Sequence, residues 1–194
     1  MVERTRISIL VFAGSIRARS LSAKLAALAA KELALMDADV THISLADYPL
    51  PFYDGDLEER SGIPENATKL AQLIATHRGV FIATPEYNNS LPALLKNAID
   101  WVSRHRSTGT LPYRHKVYGC GSTSDGRIGG ARALIDLRKV LTAGLQGIMV
   151  PAKVEISRAQ DAFNETGELL EEAPARLLKS VCRQLVDLSA RLAD

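Results

Sequence analysis

Ser15, Arg17, Arg19, Ser20 and Ser22 crowd into one short stretch, Gly14-Ser15-Ile16-Arg17-Ala18-Arg19-Ser20-Leu21-Ser22. Hydroxyl groups and guanidinium forks donate well to oxygen-rich anions. The stretch follows the apolar run Ile7 to Ala13 and precedes the alanine-rich segment Lys24 to Leu35, so the order is buried strand, tight polar loop, helix. Unpaired backbone N–H groups at such a helix N-terminus carry partial positive charge and favour a phosphate. Neither G-x-G-x-x-G nor G-x-x-x-x-G-K-[ST] occurs here. A loop with one glycine and several side-chain donors suits a terminal phosphate monoester better than a bridging pyrophosphate. The bland alternative is a helix cap with solvated arginines.

Two later loops offer further chemistry. Pro85-Glu86-Tyr87-Asn88 follows a strand-like run. Its exposed backbone groups can bond the heteroatom edge of a flat ring such as an isoalloxazine, or the segment is an ordinary turn with Tyr87 on the surface. Gly121-Ser122-Thr123-Ser124-Asp125-Gly126-Arg127-Ile128-Gly129-Gly130 is rich in glycine and permits close backbone approach to a ligand. Arg127 there is either a contact for a substrate phosphate or a solvated arginine in a flexible connector. Glu86 reads as a surface or structural carboxylate rather than a general acid, because no second catalytic carboxylate accompanies it. Cys120 ends a buried strand and reads as a small core residue, and Trp101, in phase with Ala98, reads as packing.

These loops need strands and helices to hold them. The spacing predicts strands over Ile7–Ala13, Val40–Leu45, Val80–Thr84, Lys116–Gly121 and Gly147–Val150, the last continuing as Lys153–Ile156. Helices are expected over Ser20–Met36, Pro64–His77, from Ser90 as N-cap with Pro92 in the first turn, along Leu134, Leu137, Leu141 and Leu145, and over Ala173–Leu192. The last helix is expected to bury Leu177, Val181, Leu185 and Leu188. Between strand two and the second helix lies a proline-rich apolar loop, Asp47 to Asp56. Alternation of strand and helix predicts an α/β fold: a three-layer α/β/α sandwich of flavodoxin type, with a five-stranded parallel sheet of order 2-1-3-4-5. In such sheets a ligand lies beyond the strand C-termini at the switch point, here strands one and three.

Composition narrows the function. The 194 residues suit one domain spanning 1–194, and a formal charge of +2 from scattered charges leaves no nucleic-acid footprint. Cys120 and Cys182 are far apart, and His42, His77, His105 and His115 lack metal-ligand spacing, so neither a disulfide framework nor a metal site is expected. No apolar run is long enough to span a membrane, and Met-Val-Glu-Arg-Thr-Arg lacks the form of a signal peptide. A cytoplasmic location follows as the expectation.

At this point three segments match a known family. Gly14-Ser15-Ile16-Arg17-Ala18-Arg19-Ser20-Leu21-Ser22-Ala23-Lys24-Leu25-Ala26 resembles G-S-x-R-x-x-S-x-N-x-x-L-A. Pro85-Glu86-Tyr87-Asn88-Asn89-Ser90-Leu91-Pro92, then Leu95-Lys96-Asn97-Ala98-Ile99-Asp100-Trp101, resembles P-E-Y-N-x-S-x-P-x-x-L-K-N-A-I-D-W. Ile128-Gly129-Gly130-Ala131-Arg132 resembles I-G-G-x-R. The chain is similar to the NAD(P)H-dependent FMN reductases of flavodoxin-like fold, the group that includes bacterial quinone and chromate reductases. One departure stands out: Ser22 occupies the usual asparagine position, and its reach is shorter.

The resemblance implies that Ser15, Arg17, Ser20 and Ser22 hold the FMN phosphate, with Leu21 among the cofactor-binding residues. It implies that Pro85, Glu86, Tyr87 and Asn88 line the isoalloxazine, and that Gly121 and Ser122 approach the flavin or its ribityl chain. NADPH or NADH would be the reductant, and quinones, free flavin, azo compounds or metal oxyanions the acceptors. No catalytic side chain or metal is expected, since the flavin carries the chemistry. Family members are commonly homodimers or homotetramers, and Leu50-Pro51-Phe52-Tyr53 fits an interface or a pocket wall. The competing reading is a flavodoxin-like electron carrier without turnover of its own. The positive net charge, Arg17 and the 5% aromatic content speak for an enzyme.

Overall fold

The computed structural model describes residues 6–105 and 111–192. The Met-Val-Glu-Arg-Thr start of the chain lies outside them. β1 (Ser8–Ala13) runs into α1 (Leu21–Leu35), then come β2 (Asp39–Ile43), a 3₁₀ turn at Leu45–Asp47 and the short α2 (Gly55–Ser61). α3 (Glu65–Thr76), β3 (Gly79–Pro85), α4 (Ala93–Arg104) and β4 (Val117–Thr123) follow. The chain continues through α5 (Ala131–Lys139), a π-helical turn at Val140–Gly144, β5 (Ile148–Met149), β6 (Val154–Ile156) and α6 (Glu172–Arg191).

All pairings in the sheet are parallel, in the order β2-β1-β3-β4-β5. β6 also pairs with β4, further along it, so β5 and β6 are two halves of one interrupted edge strand. Pro151 between them has no N–H to give to a ladder. The expected order holds, with its fifth strand split. β1, β3 and β4 are buried on both faces, which explains their unbroken apolar runs. One face is covered by α1 and α6 through Leu25, Leu33, Val181 and Leu185. The other is covered by α3, α4 and α5 through Leu70, Leu95, Ile99, Leu134 and Leu137.

Three local expectations are corrected. The N-cap of α4 is Pro92, and the Ser90 hydroxyl instead donates to Asp136 Oδ2 at 2.6 Å. β4 runs two residues past Gly121, because Ser122 and Thr123 register against Thr84 and Pro85 of β3 and against Glu155 and Ile156 of β6. On α6 the buried positions are Leu178, Val181, Cys182, Leu185 and Ser189, while Leu177 is 49% exposed and Leu188 only half-buried. The leucine stripe after Ala131 survives the change of helix type. Leu145 N donates to Val140 O across the π turn, and Leu141 and Leu145 both stay buried.

Candidate functional site

Loop one leaves β1 beside β3, where the sheet's connections diverge to opposite faces. Gly14 N donates to Ala83 O at 2.8 Å, so the loop starts pinned to β3. A Cβ at Gly14 would meet Leu95 Cδ2 of α4 at 2.8 Å, so a larger residue at this crossing would push the Leu95 side chain aside. Ser20 caps α1: its Oγ accepts from Ala23 N at 3.2 Å, and its carbonyl accepts from Lys24 N at 3.2 Å. Ser20 N in turn donates to Arg17 O at 3.0 Å, and Arg17 N donates to Ser15 Oγ at 3.4 Å. Ser15 and Ser20 are buried among these bonds while Arg17 and Arg19 stand exposed.

Loop three faces it. Tyr87 and Ser90 exchange both backbone hydrogen bonds, at 3.0 and 3.1 Å, and Asn88 and Asn89 between them have φ of 50° and 63°. Two consecutive left-handed residues make a tight two-residue turn that asparagine tolerates. Glu86 is drawn toward α5: its Oε2 accepts from Arg132 N at 3.0 Å and Ala133 N at 3.1 Å. The carboxylate is therefore a helix cap, as its reading as a structural residue expects.

Loop four closes the third side. Ser124 N donates to Ile156 O at 3.0 Å, Ala159 N to Ser124 O at 3.1 Å and Gln160 N to Asp125 Oδ1 at 3.2 Å. A Cβ on Gly129 would sit 2.9 Å from the backbone of Glu155, Ile156 and Ser157, so only glycine lets these two segments touch.

The three loops bound one cleft of about 850 Å³ at the C-terminal end of the sheet. Ser15, Arg17, Ser20, Leu21, Ser22, Pro85, Glu86 and Tyr87 line it together. Asn88 does not: it occupies the outer corner of the turn and is exposed. Gly121 and Ser122 are also elsewhere. Both are buried in β4, Gly121 wedged against Val154 and Leu25, and the Ser122 hydroxyl donating to Gly129 O at 2.7 Å. Their place in the wall is taken by Thr123, Ser124, Asp125 and Gly126, with Gln160 from the following segment. The run 123–126 lay inside the glycine-rich stretch already singled out; nothing in the sequence flags Gln160. Arg127 lines a neighbouring cleft of about 610 Å³ with Arg158 and Asp161.

The electrostatics favour an anion at the loop-one end. Arg17, Arg19 and Lys24 line the cleft, and none enters an ion pair among the described residues. The serine hydroxyls, the Arg17 fork and the first amides of α1 form a donor set that matches a phosphate monoester. Ser22 belongs to this set indirectly, since its buried hydroxyl bonds Ser20 Oγ at 2.8 Å and so steadies the capping serine. Among the described residues no cluster of His, Cys, Asp and Glu could hold a metal ion, and no helix is long and apolar enough to cross a membrane.

Comparison with known proteins agrees with this architecture. A family model described as NADPH-dependent FMN reductase matches residues 7–161. The 2-hydroxy-1,4-benzoquinone reductase of a Burkholderia species is 32% identical over 179 residues, covering 90% of this chain and 91% of that one. Quinone reductase of Escherichia coli K12 is 45% identical over 98 residues, a match spanning half the length of each chain. Among solved structures, FerB of Paracoccus denitrificans, a flavoenzyme NAD(P)H:acceptor oxidoreductase, superposes with a TM-score of 0.75 at 29% identity, over 95% of this chain and 98% of that one. A parallel 2-1-3-4-5 sheet, a cleft at its switch point and a family match running from β1 through β6 place this chain in the NADPH-dependent FMN reductase family.

Proposed function

We propose that the chain, as one domain over 1–194, binds FMN in the 850 Å³ cleft and acts as an NAD(P)H-dependent oxidoreductase. Small quinones are the favoured acceptors, with free flavin, azo compounds and metal oxyanions as further candidates. The observation that carries this reading is the meeting of loop one and loop three in a single cleft at the β1/β3 switch point. One loop is chemically a phosphate cradle, and the other is a hydrogen-bonded two-residue turn that forms the facing wall.

In this reading Ser15, Ser20, Arg17 and the first amides of α1 hold the phosphate, with Ser22 supporting Ser20. Backbone groups of 85–87 lie beside the ring, and Tyr87, 43% exposed, forms part of the open wall. FMN, when bound, supplies two-electron acceptor and donor chemistry that side chains lack. The protein's share is to orient the two reactants in turn at one place. Glu86 is committed to the α5 amides and serves no proton transfer. A homodimer or homotetramer is the proposed assembly, working in the cytoplasm.

Saturable quenching of FMN fluorescence by flavin-free protein, followed by FMN-dependent oxidation of NADPH or NADH with 1,4-benzoquinone, is the expected outcome. Absence of flavin uptake overturns the reading. Uptake without turnover points instead to an electron carrier.

A further inference from the structure

Loop three is tied to α5 by three separate side-chain contacts, although its own motif lies in a different part of the chain. Glu86 Oε2 takes two amides of the first turn of α5. Arg132 Nη1 reaches back to Asn89 Oδ1 at 3.0 Å, and Ser90 Oγ donates to Asp136 Oδ2 at 2.6 Å. α5 has no cap of its own, because the residue at its cap position is Gly130. Glu86 therefore satisfies amides that nothing within α5 can satisfy, and the helix in turn fixes the loop.

Those contacts hold an otherwise unfavourable shape. Asn88 and Asn89 both sit at positive φ, in the left-handed region that non-glycine residues leave readily when untethered. Asn89 itself and the flanking Glu86 and Ser90 are the three residues bound to α5. Glu86 and Tyr87 are also cleft-lining residues, so the shape of this turn is the shape of one cleft wall.

We propose that Glu86 is a positioning residue for the flavin ring, acting by capping α5 from the end of β3 and thereby locking the 86–90 turn. This rests on the FMN-binding reading above. The carboxylate acts through backbone geometry. It bonds Arg132 N and Ala133 N, which set the distance between the turn and α5, and it performs no proton transfer.

The test uses the full-length protein and its Glu86→Ala, Glu86→Gln and Asn89→Ala variants, with two readouts. Hydrogen–deuterium exchange on flavin-free protein reports whether residues 86–90 loosen. Fluorescence quenching reports FMN affinity. Glu86→Ala is expected to speed exchange at the Tyr87 and Ser90 amides and to weaken FMN on the order of tenfold, the scale of a lost helix cap. Glu86→Gln keeps a carbonyl oxygen for the α5 amides and should bring both readouts most of the way back. Asn89→Ala cuts the Arg132 tether and also puts alanine at a left-handed position, and should give the same paired effect. The proposal fails if Glu86→Ala lowers thermal stability while leaving FMN affinity and 86–90 exchange as in the parent. It fails equally if the glutamine variant behaves like the alanine one. Should Glu86→Ala not fold, Asn89→Ala decides: no loosening and no affinity loss overturns the proposal. A parent protein that never quenches FMN counts against the flavin reading alone, since the exchange arm still decides the tether.

Discussion

Arg17 stands exposed at the mouth of the cleft, two residues from the buried Ser15, whose hydroxyl its own amide contacts. No carboxylate among the described residues pairs with it, so its guanidinium is available to a ligand. Arg17→Ala should weaken FMN binding by about 1.5–3 kcal/mol, the scale of a hydrogen bond to a charged group, with no loss of thermal stability in the flavin-free protein. A titration showing unchanged affinity would remove Arg17 from the phosphate site. Loop one was legible in sequence because its chemistry is local: hydroxyls, guanidinium and helix start lie within one turn of each other. The end of β4 was hidden for the opposite reason. Ser122 and Thr123 read as loop, yet pairing with β3 on one side and β6 on the other carries the strand to Thr123. The work of Glu86 was hidden too, since the amide of Arg132 that it accepts from lies 46 residues away.

At the scale of elements, α4 shows what its Lys-Asn-Ala-Ile-Asp-Trp run does. Lys96 bridges Asp100 one turn on, at 2.7 Å. Asn97 Nδ2 and Trp101 Nε1 both donate to Pro51 O, at 2.9 and 2.8 Å, and Asn97 Oδ1 accepts from Tyr53 N at 2.8 Å. The proline-rich loop is thus clasped to α4, with the Tyr53 ring edge-on to Trp101 at 5.0 Å and Phe52 left 79% exposed. Packing of Trp101 was legible from helical phase; its hydrogen bond to a loop 50 residues earlier was not. Helix α2 within that region escaped notice because it buries no residue, so it shows no apolar period. It is held instead by the Asp54 cap and by Arg104, whose Nε bonds both Glu58 oxygens at 3.0 and 2.9 Å. Asn97→Ala removes two bonds of the clasp and should cost about 1–3 kcal/mol in chemical denaturation. Trp101→Phe removes one and leaves Pro51 O partnered by Asn97, so about 0.5–1.5 kcal/mol is expected. A larger loss for the tryptophan variant would show that ring packing, not the carbonyl contact, holds the loop.

Over the whole molecule, the parallel sheet followed from alternation, because a parallel sheet covered on both faces demands continuous apolar strands and amphipathic crossovers, and its order followed from the flavodoxin-type sandwich that five such units suit. Burial on this scale also reaches the two cysteines. Cys120 in β4 and Cys182 on α6 lie in opposite cores, and burial pushes each thiol up to about 12 from an ordinary 9.0. Burial raises the Tyr118 phenol in the same direction. The native state thus keeps two thiol protons that the unfolded chain gives up above pH 9.0. Stability from this source is complete below that pH and is lost as pH rises toward the native values, by about 1.4 kcal/mol per thiol for each pH unit once the unfolded thiols have ionised. Lys116 works against the trend, since burial, with Arg78 nearby, lowers its ammonium and the penalty fades as pH rises. Comparing the parent with a Cys120→Ala, Cys182→Ala double variant isolates the thiols. Urea unfolding followed from about pH 8 to pH 11 should show a steep fall for the parent and a shallower one for the variant, whatever the variant's stability at neutral pH. Parallel slopes would mean that the thiols ionise alike in the folded and unfolded chains, and that water reaches them in both halves of the core.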